Sequence, residues 1–225
     1  MPRTMTLMLL AATLGLAGCS SPTESENVAS ATLSFVVGDK SALTKAVASH
    51  VTVSSAKVML KTIQFHSTSD TDSLDFNSAA LVVDLDLAGG ITTVGPIDIP
   101  VGSYDKVSFR LHKPDTGEDN LDPDFYEVGG SDRYSVVVAG IHADTAFTYK
   151  SRRGEKQRLE FDPPLVVTDT TTLVNVTLSV DVYSWFVNFE TGADLNPSDP
   201  NDESDIDDAI RESFRGFEDN DKSGN

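Results

Sequence analysis

The chain has a single cysteine in 225 residues, so no disulfide within it can hold the fold. It is short of positive charge, with 17 Lys and Arg against 35 Asp and Glu and a formal net charge of −18. An acidic excess of that size argues against a nucleic-acid partner and against contact with anionic headgroups. Apolar runs are short as well: Met5–Gly18 carries 14 uncharged residues, whereas a helix that crosses a bilayer needs about 20. There is no Gly-x-Ser-x-Gly elbow, no His-Glu-x-x-His and no phosphate-cradling glycine loop, which points away from an enzyme. The four histidines, His50, His66, His112 and His142, stand at no metal-ligand spacing to one another and read as surface or hydrogen-bonded side chains.

What is present begins at the amino terminus. Arg3, the apolar segment and the small residues that end it follow the plan of a secretory signal. Leu16-Ala17-Gly18-Cys19 resembles the lipobox of bacterial lipoproteins. That resemblance implies removal of residues 1–18, a diacylglyceryl thioether on Cys19 and an extracytoplasmic protein anchored by lipid, at the outer membrane if the organism is diderm, because Ser20 and not Asp follows the cysteine. The alternative, an ordinary cleavage site, leaves the lone thiol without a role. Residues 19–30 are polar and read as a flexible tether.

The body reads as strands. Leu33, Phe35 and Val37 alternate with Ser34 and Val36. Val51–His66 is long, and its apolar parity switches twice, as in a strand with bulges. An acidic loop from Asp70 to Asn77 separates it from Ala79–Leu87, whose Leu81, Val83, Leu85 and Leu87 share one parity. Thr92–Pro100, Val107–Leu111, Tyr134–Ile141, Ala146–Lys150, Lys156–Phe161, Leu165–Val167 and Leu173–Tyr183 follow, with Pro163-Pro164 as a break and 113–132 as a long irregular insert. Short strands without alternating helices predict an all-β fold, an antiparallel β-sandwich over residues 31–189. In the acidic segment 190–225, Ile206, Ile210, Phe214 and Phe217 recur at helical spacing behind a capping-box-like Ser204-Asp205-Ile206-Asp207, which predicts one short C-terminal helix.

The corner Pro100-Val101-Gly102-Ser103-Tyr104 between two strands resembles that of carboxypeptidase-regulatory and transthyretin-like β-sandwich domains. Over residues 31–185 the resemblance implies an immunoglobulin-like or transthyretin-like sandwich that binds or supports rather than catalyses.

Two stretches carry candidate chemistry. Asp219, Asp221 and Ser223, with Gly224, match the opening of a calcium loop, oxygen ligands at alternate residues before a sharp turn, although the distal glutamate is missing. The other reading is a frayed acidic terminus. Lys150, Arg152, Arg153, Lys156 and Arg158 form a basic cluster expected on a hairpin. It would capture phosphate, an acidic glycan or an acidic envelope protein, or else guard a sheet edge or pair with the acidic C-terminal segment. Trp185, Phe186 and Phe189 plug one end of the sandwich or, if exposed, offer a platform for a sugar ring. The expected role is a non-enzymatic one at the cell envelope. The runner-up is an envelope glycan hydrolase that uses a strand-borne carboxylate pair such as Asp84 and Asp86.

Overall fold

The computed structural model describes residues 28–38, 50–68, 73–76, 80–118, 122–171 and 173–218. Cys19 and the calcium-loop residues Asp219, Asp221 and Ser223 lie outside them.

Eleven strands are described: β1 Val28–Val37, β2 Val51–Ser67, β3 Ser73–Phe76, β4 Leu81–Asp84, β5 Ile91–Pro100, β6 Gly102–Leu111, β7 Val136–His142, β8 Thr145–Ser151, β9 Lys156–Val167, β10 Leu173–Val180 and β11 Phe214–Glu218. They form two sheets, one of four strands in the order β11-β10-β1-β5 and one of seven built around β2. All pairings are antiparallel except β1 with β10. The fold is thus an all-β sandwich with one short helix, α1, Glu203–Glu212.

The core lies between the sheets. Leu33, Phe35 and Val37 face Val58, Leu60, Val107 and Phe109, all buried, and Phe35 meets Phe109 edge to face at 6.2 Å between ring centres. Burying side chains of this kind stabilises by about 1.5–3 kcal/mol each, which is how a sandwich without disulfides holds together. The corner between β5 and β6 is closed by Tyr104, whose hydroxyl donates to the Pro100 carbonyl at 2.8 Å.

The long strand β2 has register shifts at Val53/Ser55, Lys61/Gln64 and His66/Ser67, which produce the switches of parity in its sequence. Its first half pairs with β7 and its second half with β6. Met59 marks the junction: its N–H donates to the Ser135 carbonyl at 2.9 Å, and its own carbonyl accepts from His112 N at 2.9 Å. The insert between β6 and β7 therefore leaves and returns at one residue, as an Ω-loop does. It lies on the outer face of the sheet, where Met59, Phe125, Tyr134 and Val137 form a small second core.

Several expectations need correction. β1 starts at Val28, inside the stretch read as tether, because its ladder with β5 extends to Pro100. A short strand, β3, lies within the acidic 70–77 loop and pairs with Ile63–His66. Pro163-Pro164 does not end the strand: β9 runs through both prolines, which fall in the register shift between Glu160 and Leu165, where no residue of β9 is paired with β6 and a missing N–H costs no ladder bond. The helix ends at Glu212. Phe214 and the residues after it pair with β10 instead, so the sandwich extends beyond residue 189 into the acidic segment. Strand pairing overrides the helical spacing there, helped by Gly216, a weak helix former.

Candidate functional site

The basic residues from Lys150 to Arg158 are not on a hairpin. β8 pairs with β7 and β9 with β6, and Arg152–Glu155 links the two pairs along the sheet, with Leu111 N donating to the Glu155 carbonyl at 2.8 Å. The cluster accordingly divides. Lys150 donates to the Asp124 carbonyl at 2.6 Å and lies 4.9 Å from the centre of the Tyr134 ring. Arg153 reaches Asp208 at 2.7 Å and the buried Asp207 at 3.4 Å on α1, the internal pairing with the C-terminal segment that the sequence allowed. Tyr149 donates to the same Asp207 at 2.8 Å, and burial and that carboxylate push its phenol well above the usual range.

Lys156 and Arg158 instead stand on the outer face of the seven-stranded sheet, exposed. In the β6–β9 register Arg110 lies directly opposite Lys156, and Ser108 opposite Arg158. Like charges directly across a ladder destabilise it. Neither Arg110 nor Arg158 has an acid partner among the described residues, and Lys156 is held only by the neutral Gln64 at 3.0 Å. Burial, and then Lys156, Arg158 and Lys106 in turn, lower the proton affinity of the neighbouring His66. A positive surface thus sits on a strongly acidic protein.

That surface runs into a cleft of about 670 Å³ under the insert, whose walls carry Lys61, Arg110, Lys113, Arg133 and Arg152 with His112 and Thr62, and also the acids Asp115 and Asp132. Arg133 donates to the Pro114 carbonyl at 3.0 Å, and Arg152 pairs with Asp132 at 2.6 Å. Thr62 at the cleft wall has φ +57°, the left-handed region that a β-branched residue rarely adopts, at the bulge that reorients β2.

Beside the cleft, His112 and Asp115 of its wall converge with Glu118, their ligand atoms all within 4.8 Å of one another. His112 Nε2 is 2.9 Å from Glu118 Oε2 and 3.6 Å from Asp115 Oδ2. Lys61 Nζ bridges Asp115 and Glu118 at 2.9 Å each. The Asp115 N–H donates to Glu118 at 2.7 Å, the Tyr126 hydroxyl donates to the Glu118 carbonyl, and the Asp115 N–H, Lys61 and His112 together hold the Glu118 carboxyl down at about 2. The Lys61 ammonium, stabilised by Asp115 and then Glu118, is held above its ordinary value.

Sequence reasoning took His112 as a surface or hydrogen-bonded histidine, and the structure gives the second, with its ring bonded to Glu118. The structure buries His112, because the start of the insert folds over it. The signal available was His112-x-x-Asp115-x-x-Glu118, donors at three-residue steps, which a comparison of histidines with one another does not reveal. Trp185 and Phe186 are fully buried and Phe189 is 67% exposed, so the first two plug the sandwich as expected. Asp84 and Asp86 are both exposed. Asp86 accepts from the Ala88 N–H in the turn that follows, and Asp84 lies 4.0 Å from Lys57. His50 pairs with Asp194.

No family model matches the chain, and no curated protein does. Among solved structures the chain is similar to MbnP from Methylosinus trichosporium, with a TM-score of 0.43 and 8% identity over 71% of this chain and 78% of that one. A likeness of that degree carries no functional argument.

Proposed function

We propose that the chain is a lipid-anchored, extracytoplasmic binding protein of the cell envelope, without catalytic activity, whose positive surface and cleft take the anionic groups of an envelope glycan. The observation that carries this reading is Arg110 facing Lys156 across the ladder, with Arg158 beside them and Lys113 and Arg133 at the cleft. Arg110, Lys156 and Arg158, placed together with no acid partner among the described residues, raise the folded-state energy, and an anion in their midst lowers it again. The surrounding negative charge confines the attraction to that one face. Of the basic residues singled out in sequence, Lys156 and Arg158 belong to this surface, Arg152 lies at the cleft already paired with Asp132, and Lys150 and Arg153 serve the fold.

The test is binding of the full chain to an array of sulfated and uronate-bearing glycans, with neutral glycans beside them. Salt-sensitive binding that weakens about tenfold in Arg110→Glu and in Lys156→Glu supports the reading. Equal binding to neutral glycans, or no loss in either variant, ends it. The anchor is tested separately by palmitate labelling: Cys19→Ala should abolish the label and release the protein from the membrane fraction. Calcium binding by Asp219, Asp221 and Ser223 is a further proposal resting on their spacing alone; calcium heats that are absent, or unchanged in Asp219→Ala, remove it.

A further inference from the structure

We infer that His112, Asp115 and Glu118 form a binding site for a borderline divalent transition metal such as Zn²⁺ or Cu²⁺, in which Lys61 is the competing internal cation. The donor set is one imidazole and two carboxylates, which suits Zn²⁺, Cu²⁺ or Ni²⁺ better than Ca²⁺, an ion that takes oxygen ligands throughout. The imidazole is 90% buried, its side chain only 10% exposed, and Nε2 is turned into the pair of carboxylates and not toward water.

The spacing fits an ion. Ligands about 2.0–2.1 Å from a tetrahedral zinc lie roughly 3.3 Å from each other. The His112–Glu118 and His112–Asp115 separations of 2.9 and 3.6 Å bracket that edge. The triad is also held in place before any ion arrives. The Asp115 backbone N–H fixes the Glu118 carboxylate, the Tyr126 hydroxyl fixes the Glu118 carbonyl, and the His112 backbone N–H is bonded to the Met59 carbonyl. Such outer contacts orient metal ligands. Asp115 faces the cleft, which leaves a coordination position open toward it.

Lys61 marks where a cation sits in the cluster. Its ammonium stands 2.9 Å from both carboxylates, the place that a cation bound by them occupies. On metal binding the ammonium gives up these two contacts and turns into the cleft as a free cation, beside Arg110. The site does not depend on the glycan reading.

Zinc calorimetry and Cu²⁺ electron paramagnetic resonance of the full chain in detergent provide the test. One Zn²⁺ per chain is expected, with a Cu²⁺ spectrum showing hyperfine structure from one nitrogen. His112→Ala should weaken binding at least about a hundredfold and remove that nitrogen signal, and Glu118→Gln, which keeps the side-chain shape, should also weaken it. Lys61→Met should strengthen binding about tenfold by removing the competing charge. Circular dichroism of each variant checks that it folds. The inference is overturned by a native chain that binds no Zn²⁺, by binding unchanged in both His112→Ala and Glu118→Gln, or by binding confined to Lys61→Met, which would make Lys61 the permanent occupant.

Discussion

Lys57 donates from Nζ to Asp122 Oδ2 at 2.6 Å and so ties the middle of the insert to the strand beneath it. The same ammonium reaches Asp124 at 2.9 Å, and the two carboxylates raise its proton affinity. Lys61 repeats the arrangement two positions along the outer face, beyond Met59, with Asp115 and Glu118. Two lysines of β2 thus hold four carboxylates of one loop.

Replacing Lys57 by Met should loosen the insert without unfolding the sandwich. Charge-assisted hydrogen bonds of this kind contribute about 1.5–3 kcal/mol, and partial exposure reduces that here. Hydrogen exchange should accelerate at Tyr126, Glu127 and Tyr134, whose N–H groups are bonded within the insert, while β2 and β7 stay protected. Equal acceleration everywhere would contradict this.

Acid should act through Glu118. Its carboxyl titrates near 2 in the folded protein, well below the ordinary carboxylate value. A depressed folded value gives stability that is fully present above the unfolded value, about 4.3, and is lost as pH falls toward 2. Denaturant midpoints between pH 5 and pH 2 should fall less in Glu118→Gln than in the native chain. The difference is expected to be on the order of 1–2 kcal/mol after allowance for solvent.

Tyr149→Phe should destabilise the protein by about 1–3 kcal/mol in urea unfolding, because it leaves the buried Asp207 with only the longer contact to Arg153. The loss should concentrate at α1, since the Tyr149 hydroxyl also approaches the Glu203 carbonyl at 3.2 Å. Tyr149→Phe combined with Asp207→Asn should cost less than the sum of the two single changes.

Trp185, the only tryptophan, donates its indole N–H to Ser213 Oγ at 2.8 Å and is wholly buried. Its fluorescence should be blue-shifted and insensitive to acrylamide. Ser213→Ala should leave the emission buried but cost about 1–3 kcal/mol, the penalty for an unsatisfied buried donor.

Much of the fold is legible in the residues. The alternation of Leu33, Phe35 and Val37 and the two parity switches between Val51 and Phe65 follow from the period of a strand, a local property. What escapes is non-local. The pairing of β1 with β10 in parallel, and of Phe214 with Val180, depends on tertiary packing that no window of sequence contains. Four residues, Ser73–Phe76, are too few to stand out from an acidic loop. The candidate sites divide in the same way. The basic residues from Lys150 to Arg158 are visible as a run, yet their separation between helix and sheet is set by where β8 gives way to β9. Arg110 was invisible as a site residue because its opposition to Lys156 is a matter of register between strands far apart in sequence.

The insert that departs from and returns to Met59 enters the sandwich at a single residue of β2. Its length and composition can consequently vary without displacing any strand, because the two flanking ladders close at that point whatever the loop contains. The sandwich is in this respect a socket, and the segment between His112 and Ser135 is a cartridge. Exchanging that segment for another of similar end-to-end span should change what the protein holds while its fold stays the same.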